Sequence, residues 1–383
     1  MLIDVTRLAD RMLQGRLPTG VDRVSLAYLR HFHHRAHALV RFAGRWIELG
    51  AGDSRSVFDA LLSPMRDRSA RIRRCVGRGY AFSWRRRHGS LILNTGHSGL
   101  DNAGYPHEIR RRTLRPVFFL HDLIPITHPE YCRPGEADKH HRRLEAMLSV
   151  GHGLIVNSKA TADELDGYAH DRGLQVPPCV VASLAPGELP RTAAPRPLQE
   201  PYFVVLGTIE PRKNHLLLLH LWRELVDLLG DKAPRLVVIG QRGWECEQIV
   251  DLLDRCEALR GFVVERPACT DAELAAWLQH ARALLFPSFV EGFGMPLVEA
   301  LMLGVPVIAS DLGVFREIAA DIPDYLDPID GLGWKRLILD YAQPDSAPRL
   351  AQCERMEGFA PPTWEQHFEV VDELMKELDA RRA

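Results

Sequence analysis

From Tyr202 to Ala319 the chain alternates short apolar runs with amphipathic stretches of helical length, and that order leaves few folds open. Tyr202–Thr208, Leu236–Gly240, Phe262–Glu265, Ala283–Pro287 and Val307–Ser310 read as strands. Between and after them, Leu216–Leu229, Cys246–Leu259, Asp271–His280, Pro296–Leu303 and Val314–Ala319 read as helices. Strands separated by helices of this length pair in parallel through right-handed crossovers, which predicts a doubly wound sheet. The first half has the same rhythm. Met1–Thr6, Leu91–Asn94, Val117–Leu120 and Leu154–Asn157 read as strands, Val21–His33 and Glu136–Val150 as helices, and Ser158 as the cap of a further helix.

At 383 residues the chain is long for one core and suits two domains. Between Val176 and Pro201 prolines crowd and periodic apolar content falls away, so the boundary is placed there: 1–185 and 186–383, the latter including a final helix at Thr363–Leu378. The expected fold class is α/β, with two Rossmann-like doubly wound sheets facing across a cleft, and with ligands at the carboxyl ends of the strands. A net charge of -2 gives no global reason to seek nucleic acid, so anion binding must come from local patches. Seven scattered cysteines with no C-x-x-C pair read as reduced thiols. The N-terminus lacks a signal-like pattern, and no apolar run is long enough to span a bilayer, so the expected location is cytoplasmic. His31, His33, His34 and His37 read as a polar helix end, not a metal centre, and no metal is expected elsewhere.

The segment Phe286 to Ala300 is the richest in chemistry. A strand ends at Pro287, a loop bearing Gly292 and Gly294 follows, and a helix opens near Pro296. Free amide N–H groups and the positive end of the helix dipole favour an anion there, and the glycines let it approach the backbone. Glu291 and Glu299 are too far apart in sequence to form a side-by-side acid–base pair, and each suits accepting hydrogen bonds from sugar hydroxyls. A second candidate follows the strand at Tyr202–Thr208, where Gly207, Thr208 and Glu210 lead into the adjacent cations Arg212 and Lys213 before the next helix. Two such cations can neutralise a diphosphate that the glycine loop also touches.

Gly207-Thr-x-Glu-Pro-Arg-Lys-Asn-His215, then Ile239-Gly240-x-x-Gly243-Trp244, then Glu291-Gly-Phe-Gly-Met-Pro-Leu-Val-Glu299 together resemble the retaining GT-B glycosyltransferases of family 4, including their E-x7-E signature. The resemblance is specific over roughly Tyr202 to Ile318. It implies that Arg212 and Lys213 hold the donor diphosphate, that Glu291 contacts the transferred sugar and that Glu299 contacts the ribose. By the same resemblance, Gly207, Thr208 and Gly240 belong to the donor site, and Phe293, Gly294 and Met295 offer their amides around sugar and pyrophosphate. Leu120-His121-Asp122-Leu-Ile-Pro125 resembles the family's active-site histidine segment, which places His121 beside the transferred sugar. Pro18-Thr19-Gly20-Val21 resembles its first glycine loop, although the usual second glycine is missing, and Gly20 is the matching diphosphate contact.

The resemblance implies transfer of a hexose from a GDP- or UDP-linked donor to a glycan or lipid-linked acceptor in surface polysaccharide synthesis, with mannose first. Retention without an agreed protein nucleophile leaves the catalytic base unassigned, and no cofactor or metal is required. A non-catalytic sugar-nucleotide scaffold and a GT-B epimerase or phosphorylase remain as alternatives. Arg66 to His88 carries nine arginines interleaved with Tyr80, Phe82 and Trp84 and a single acid, Asp67. That composition suits an anionic membrane surface or a lipid-diphosphate acceptor, and equally a solvated loop. Peripheral attachment to the inner face of the cytoplasmic membrane is the corresponding expectation.

Overall fold

The computed structural model describes residues 1–16, 18–63, 67–82, 87–187, 189–190 and 194–380. It divides into two compact units: one from Met1–Leu123, Asp138–Leu184 and the stretch from Trp364 onward, the other from Ile124–Ala137 and Ala185–Thr363.

The first unit is built on β1 (Leu2–Asp4), β2 (His37–Phe42), β3 (Arg45–Glu48), β4 (Leu91–Asn94), β5 (Arg115–Leu120), β6 (Gly153–Val156) and β7 (Cys179–Val181), in the order β3-β2-β1-β4-β5-β6-β7. All of its pairings are parallel except β2 with β3. That exception is a hairpin closed by Ala43 and Gly44, both at positive φ (47° and 74°), which matches the right-handed twist of the strands it joins. The second sheet runs β8 (Tyr202–Leu206), β9 (Arg235–Ile239), β10 (Val263–Arg266), β11 (Leu284–Phe286), β12 (Val307–Ser310) and β13 (Asp324–Leu326), in the order β10-β9-β8-β11-β12-β13. Every pairing in it is parallel among the described residues. Its inner strands β8, β9, β11 and β12 are buried on both faces, and the helix His215–Leu229 lays Leu218, Trp222 and Leu225 against Phe203, Val205 and Leu236. Both sheets reverse direction of winding at one point, between β1 and β4 and between β8 and β11. In open α/β sheets, ligands bind at the loops leaving the carboxyl ends at such a point.

The units part at Leu184 and Ala185, one residue from the boundary expected, but two segments depart from a simple division. Strand β7 lies inside the proline-rich stretch expected to be linker. The final helix, Trp364–Ala380, belongs to the first unit instead of the second. Its Leu374 and Leu378 lie over Gly153, where an added Cβ would come within 2.8 Å of Leu378, so a bare backbone on β6 lets the helix sit down. His367 bonds the Ser183 carbonyl at 3.0 Å and the Tyr28 hydroxyl at 2.9 Å, and Arg115 donates to the Leu378 carbonyl at 2.9 Å. Conversely, Ile124–Ala137, expected within the N-terminal domain, groups with the second unit.

The basic stretch is helix Arg68–Ala81 in its described part, while Arg66 and Ser83 to Arg86, including Trp84, lie outside the described residues. Ile72 and Cys75 face inward, and Arg68, Arg73, Arg74 and Arg78 are exposed. Among the described residues no helix is long and apolar enough to cross a membrane.

If the terminal helix is part of the first unit's core, Leu374→Ala, at a side chain 2% exposed, will destabilise the protein by about 2–5 kcal/mol. Urea unfolding followed by circular dichroism measures this, and an unchanged midpoint would refute the packing role.

Candidate functional site

The loops after β8 and β11 flank the point where the second sheet reverses, and a small set of backbone constraints shapes them. Gly207 (φ 141°) donates to the Ile239 carbonyl at 2.9 Å, and Gly240 (φ 154°) lies so close that an added Cβ would stand 1.9 Å from the Gly207 oxygen. These glycines are required by the approach of two strand ends, before any ligand is considered. Thr208 and Ile209 follow, and Pro211–Lys213 forms a 3-10 turn that Asn214 ends in the left-handed conformation. The helix His215–Leu229 begins immediately after it.

That turn aims Arg212 and Lys213 at the other loop. Arg212 Nη1 donates to Glu291 Oε2 at 2.7 Å and to the Val290 carbonyl at 3.2 Å, and its Nε pairs with Glu210 at 2.6 Å. Lys213 Nζ meets Glu291 Oε1 at 2.5 Å and lies 5.0 Å from the centre of the Phe286 ring. Ser288 Oγ donates to the same carboxylate at 2.7 Å, and a main-chain bond from Phe289 N to the Arg212 carbonyl (2.8 Å) joins the loops. The cluster is largely out of water, with the Lys213 side chain 10% and the Glu291 side chain 7% exposed.

Burial by itself would raise the Glu291 carboxyl, but the charges of Arg212 and Lys213, with hydrogen bonds from Lys213 and Ser288, outweigh it and hold it down at about 2. For Lys213 the balance falls the other way. Burial lowers it, Glu291 pulls it back, Arg212 pushes it down again, and it ends below the usual lysine value. Two carboxylates, Glu210 and Glu291, balance two cations here. An anionic ligand would compete with Glu291 for these cations, and the amide groups of the neighbouring helix terminus would favour it.

The amide groups lie next along the chain. Gly294 (φ 120°) caps helix Met295–Met302, with Pro296 in its first turn. A Cβ on Gly294 would meet Phe315 at 2.8 Å, so the glycine again serves both conformation and packing. Phe293 and Glu299 are buried and Met295 is half-buried. The sequence-predicted residues Gly207, Thr208, Arg212, Lys213, Gly240, Glu291, Phe293, Gly294, Met295 and Glu299 therefore all sit on the loops at the reversal point of the second sheet or on elements that continue them.

His121 and Gly20 belong to the first unit. His121 follows β5 and is 8% exposed; its Nε2 bonds the Thr95 carbonyl at 2.8 Å, and Asn157 holds its own carbonyl at 2.9 Å. Gly20 opens helix Gly20–Phe32, whose N-terminus carries a capping box between Thr19 and Asp22. Arg7 and Arg11 pair with Asp22 at 2.8 and 2.7 Å. No close neighbour or positive φ demands glycine at position 20.

Two features escaped the sequence. Segment Ile124–Ala137 packs on the loops after β9 and β11 of its own unit: Tyr131 stacks on Phe289 at 5.4 Å, its carbonyl accepts from Trp244 Nε1 at 3.1 Å, and Arg133 lies over the Trp244 ring. The Pro-Glu-Tyr tripeptide was the only signal for it. His97 and His140, beside His121, also went unnoticed; a histidine between glycines just after a strand, as in Thr95-Gly96-His97-Ser98-Gly99, would have been the clue.

Two Rossmann-type sheets with a glycine loop and paired cations at the second reversal point define the GT-B class of fold. Within it, residues 190–322 match the family model described as glycosyl transferases group 1. The chain is 29% identical over 224 residues to the serotype-specific mannosyltransferase WbdA of Escherichia coli, a match covering 53% of this chain and 27% of that protein. Against the O-antigen chain mannosyltransferase B of Escherichia coli it is 28% identical over 267 residues, 68% of each. It thus spans about a quarter of the length of WbdA and two thirds of the second relative. Anabaena Alr3699/HepE, solved with UDP and glucose, superposes with a TM-score of 0.69 over 98% of this chain and 99% of that one, at 13% identity.

Because Glu210 and Glu291 together balance the two cations, Glu291→Gln will leave one positive charge in excess. Binding of bare nucleoside diphosphate, measured by calorimetry, will be retained or tightened while thermal stability falls. The stability difference from wild type will be full above pH 4.5 and will shrink as pH falls toward about 2, since a depressed carboxyl stabilises only while ionised. Calorimetric loss of diphosphate binding in this variant would contradict the assigned charge balance.

Proposed function

We propose that this chain is a retaining glycosyltransferase that moves a hexose, mannose first, from a GDP- or UDP-linked donor to a glycan or lipid-linked acceptor of surface polysaccharide synthesis. The observation that carries the reading is the buried pairing of Arg212 and Lys213 with Glu291, on the loop that runs into the Gly294 helix terminus, with Lys213 and Gly294 both beside the Phe286 ring. Glycosyl transfer builds positive charge on the sugar as negative charge grows on the departing diphosphate. Arg212, Lys213 and the helix amides suit the second charge, and Glu291 and Glu299 suit hydroxyls of the sugar and ribose. The mannosyltransferase relatives support the choice of sugar, and no metal or cofactor is given a role. A scaffold that only binds sugar nucleotides would keep its function without Lys213.

The site is placed on the cytoplasmic side, with helix Arg68–Ala81 as a peripheral membrane contact. Aromatic groups and a further cation flank its exposed arginines: Arg45, on β3, lies 4.4 Å from the ring of the helix residue Tyr80, which packs on Phe42, and Phe42 and Phe82 are 58% and 69% exposed. Cations beside exposed aromatic rings suit an anionic bilayer surface.

Lys213→Ala will lower turnover of GDP-mannose or a UDP-hexose by about 100-fold or more while the circular dichroism spectrum is kept. Near-wild-type turnover would remove the assigned site. In thermal-shift screening, the cognate nucleoside diphosphate will raise the melting temperature above that seen with the other bases. For the membrane contact, sedimentation with phosphatidylglycerol vesicles at low salt will carry the protein down, and Arg73→Glu with Arg74→Glu will release it. Absence of binding by wild type disposes of that contact alone.

A further inference from the structure

The hairpin between β2 and β3 carries an aromatic side chain into solvent at the carboxyl edge of the first sheet. β2 runs parallel to β1 with Leu39 opposite Asp4, so Arg41 and Phe42 reach past the end of β1. Arg41 fixes that overhang: its main-chain N–H donates to Thr6 Oγ1 at 2.9 Å, its Nε to Asp4 at 2.9 Å and its Nη2 to the Ser98 carbonyl at 2.6 Å. Gly99 leaves room for the guanidinium, since an added Cβ there would stand 1.6 Å from Arg41 Nη1. The hairpin is thereby tied to the loops after β1 and β4, and the second of these holds His121 through the Thr95 carbonyl.

Helix Arg68–Ala81 ends beside the same hairpin. Gly79 lies so close to Ile47 and Leu49 that an added Cβ would meet them at 2.7 and 2.6 Å, which seats the helix against β3. Tyr80 then packs edge-on against Phe42, with ring centres 6.1 Å apart, Arg45 covers the Tyr80 ring, and Phe82 follows at the end of the helix. Phe42, Ala43 and Phe82 are exposed, as are Arg45, Arg73 and Arg74. Arg78 pairs with Asp53, whereas Arg45, Arg73 and Arg74 make no ion pair among the described residues, and the helix itself contains no acid. Two large rings are thus held in water by a rigid frame, with unneutralised positive charge around them. An occupant of this surface must be apolar where it meets the rings and anionic where it meets the arginines.

We propose that Phe42, Tyr80 and Phe82 form an interfacial wedge: the two exposed rings enter the acyl boundary of an anionic bilayer, Arg45, Arg73 and Arg74 meet its headgroup phosphates, and the carboxyl edge of the first sheet is held toward the membrane. The inference rests on the peripheral contact proposed above and deepens it. Arginines alone adsorb to a charged surface without fixing which edge faces the lipid, because their attraction is long-ranged and screened. Rings with a polar tip or a cationic neighbour settle where headgroups give way to chains, and the hairpin's ties to Asp4, Thr6 and Ser98 carry that position to the rest of the edge.

Salt separates the two forces, since it screens the arginines and spares the rings. The full chain is sedimented with phosphatidylglycerol vesicles at low and at high salt, as wild type, Phe42→Ser and Phe82→Ser. Wild type will keep part of its binding at high salt. Each serine variant will bind about 10-fold more weakly at both salts. Their circular dichroism spectra will match wild type, because both rings stand in solvent. Phe42→Trp will keep binding, and brominated phosphatidylglycerol will quench its fluorescence beyond the quenching seen with wild type. Full binding by both serine variants, or Phe42→Trp emission quenched no more than that of wild type, overturns the wedge and leaves the electrostatic contact standing. Absence of vesicle binding by wild type removes the contact and the wedge together, while the transferase reading answers to turnover alone. If Phe42→Ser instead breaks a self-association seen by light scattering and leaves vesicle binding unchanged, the rings face a second copy of the chain and the proposal is overturned.

Discussion

The contact on which the candidate site depends is the buried carboxylate of Glu291 held between Arg212 and Lys213. It draws together two loops 78 and 79 residues apart in sequence, which a main-chain bond from Phe289 N to the Arg212 carbonyl also joins. Burying such charges is costly unless they are paired and their remaining hydrogen bonds are met, and here Ser288, Glu210 and the Val290 carbonyl meet them. The arrangement stores two cations in a dry setting, where a later anion feels them more strongly than it would in water.

Backbone proximity is the second constraint. Gly207 and Gly240 allow two parallel strand ends to touch, and Gly294 lets a helix start against Phe315. Side chains at these points would push the loops apart and dissolve the charge cluster. Structural and ligand-related reasons for glycine coincide at Gly294, which makes position-specific glycine in such loops ambiguous when sequence alone is read.

How much was legible varies along the chain. In the second half every expected strand and helix is present to within a few residues, because strands buried on both faces read as continuous apolar runs between well-punctuated helices. The first half was harder. β2 and β3 are short and mixed in character, helix Ala51–Leu62 carries a weak apolar stripe, and the arginines of 68–81 hid a helix whose buried face is little more than Ile72 and Cys75. The loops that carry Arg212, Lys213, Glu291 and Gly294 were legible because their residue types are unusual at that spacing. His97 and His140 were not, since a lone histidine has no pattern until folding brings others beside it.

Sequence by itself determined the two doubly wound sheets and marked out the cations, glutamates and glycines of the loops at the carboxyl end of the second. These follow from local periodicity and from chemistry confined to short segments. Only the tertiary structure decided that the last helix completes the first unit, that Ile124–Ala137 packs with the second, that Glu291 rather than solvent faces Arg212 and Lys213, and that three histidines 43 residues apart at the extremes share one edge. Each of those outcomes depends on contacts between residues distant in the chain, and no local propensity encodes which distant surface will cover which.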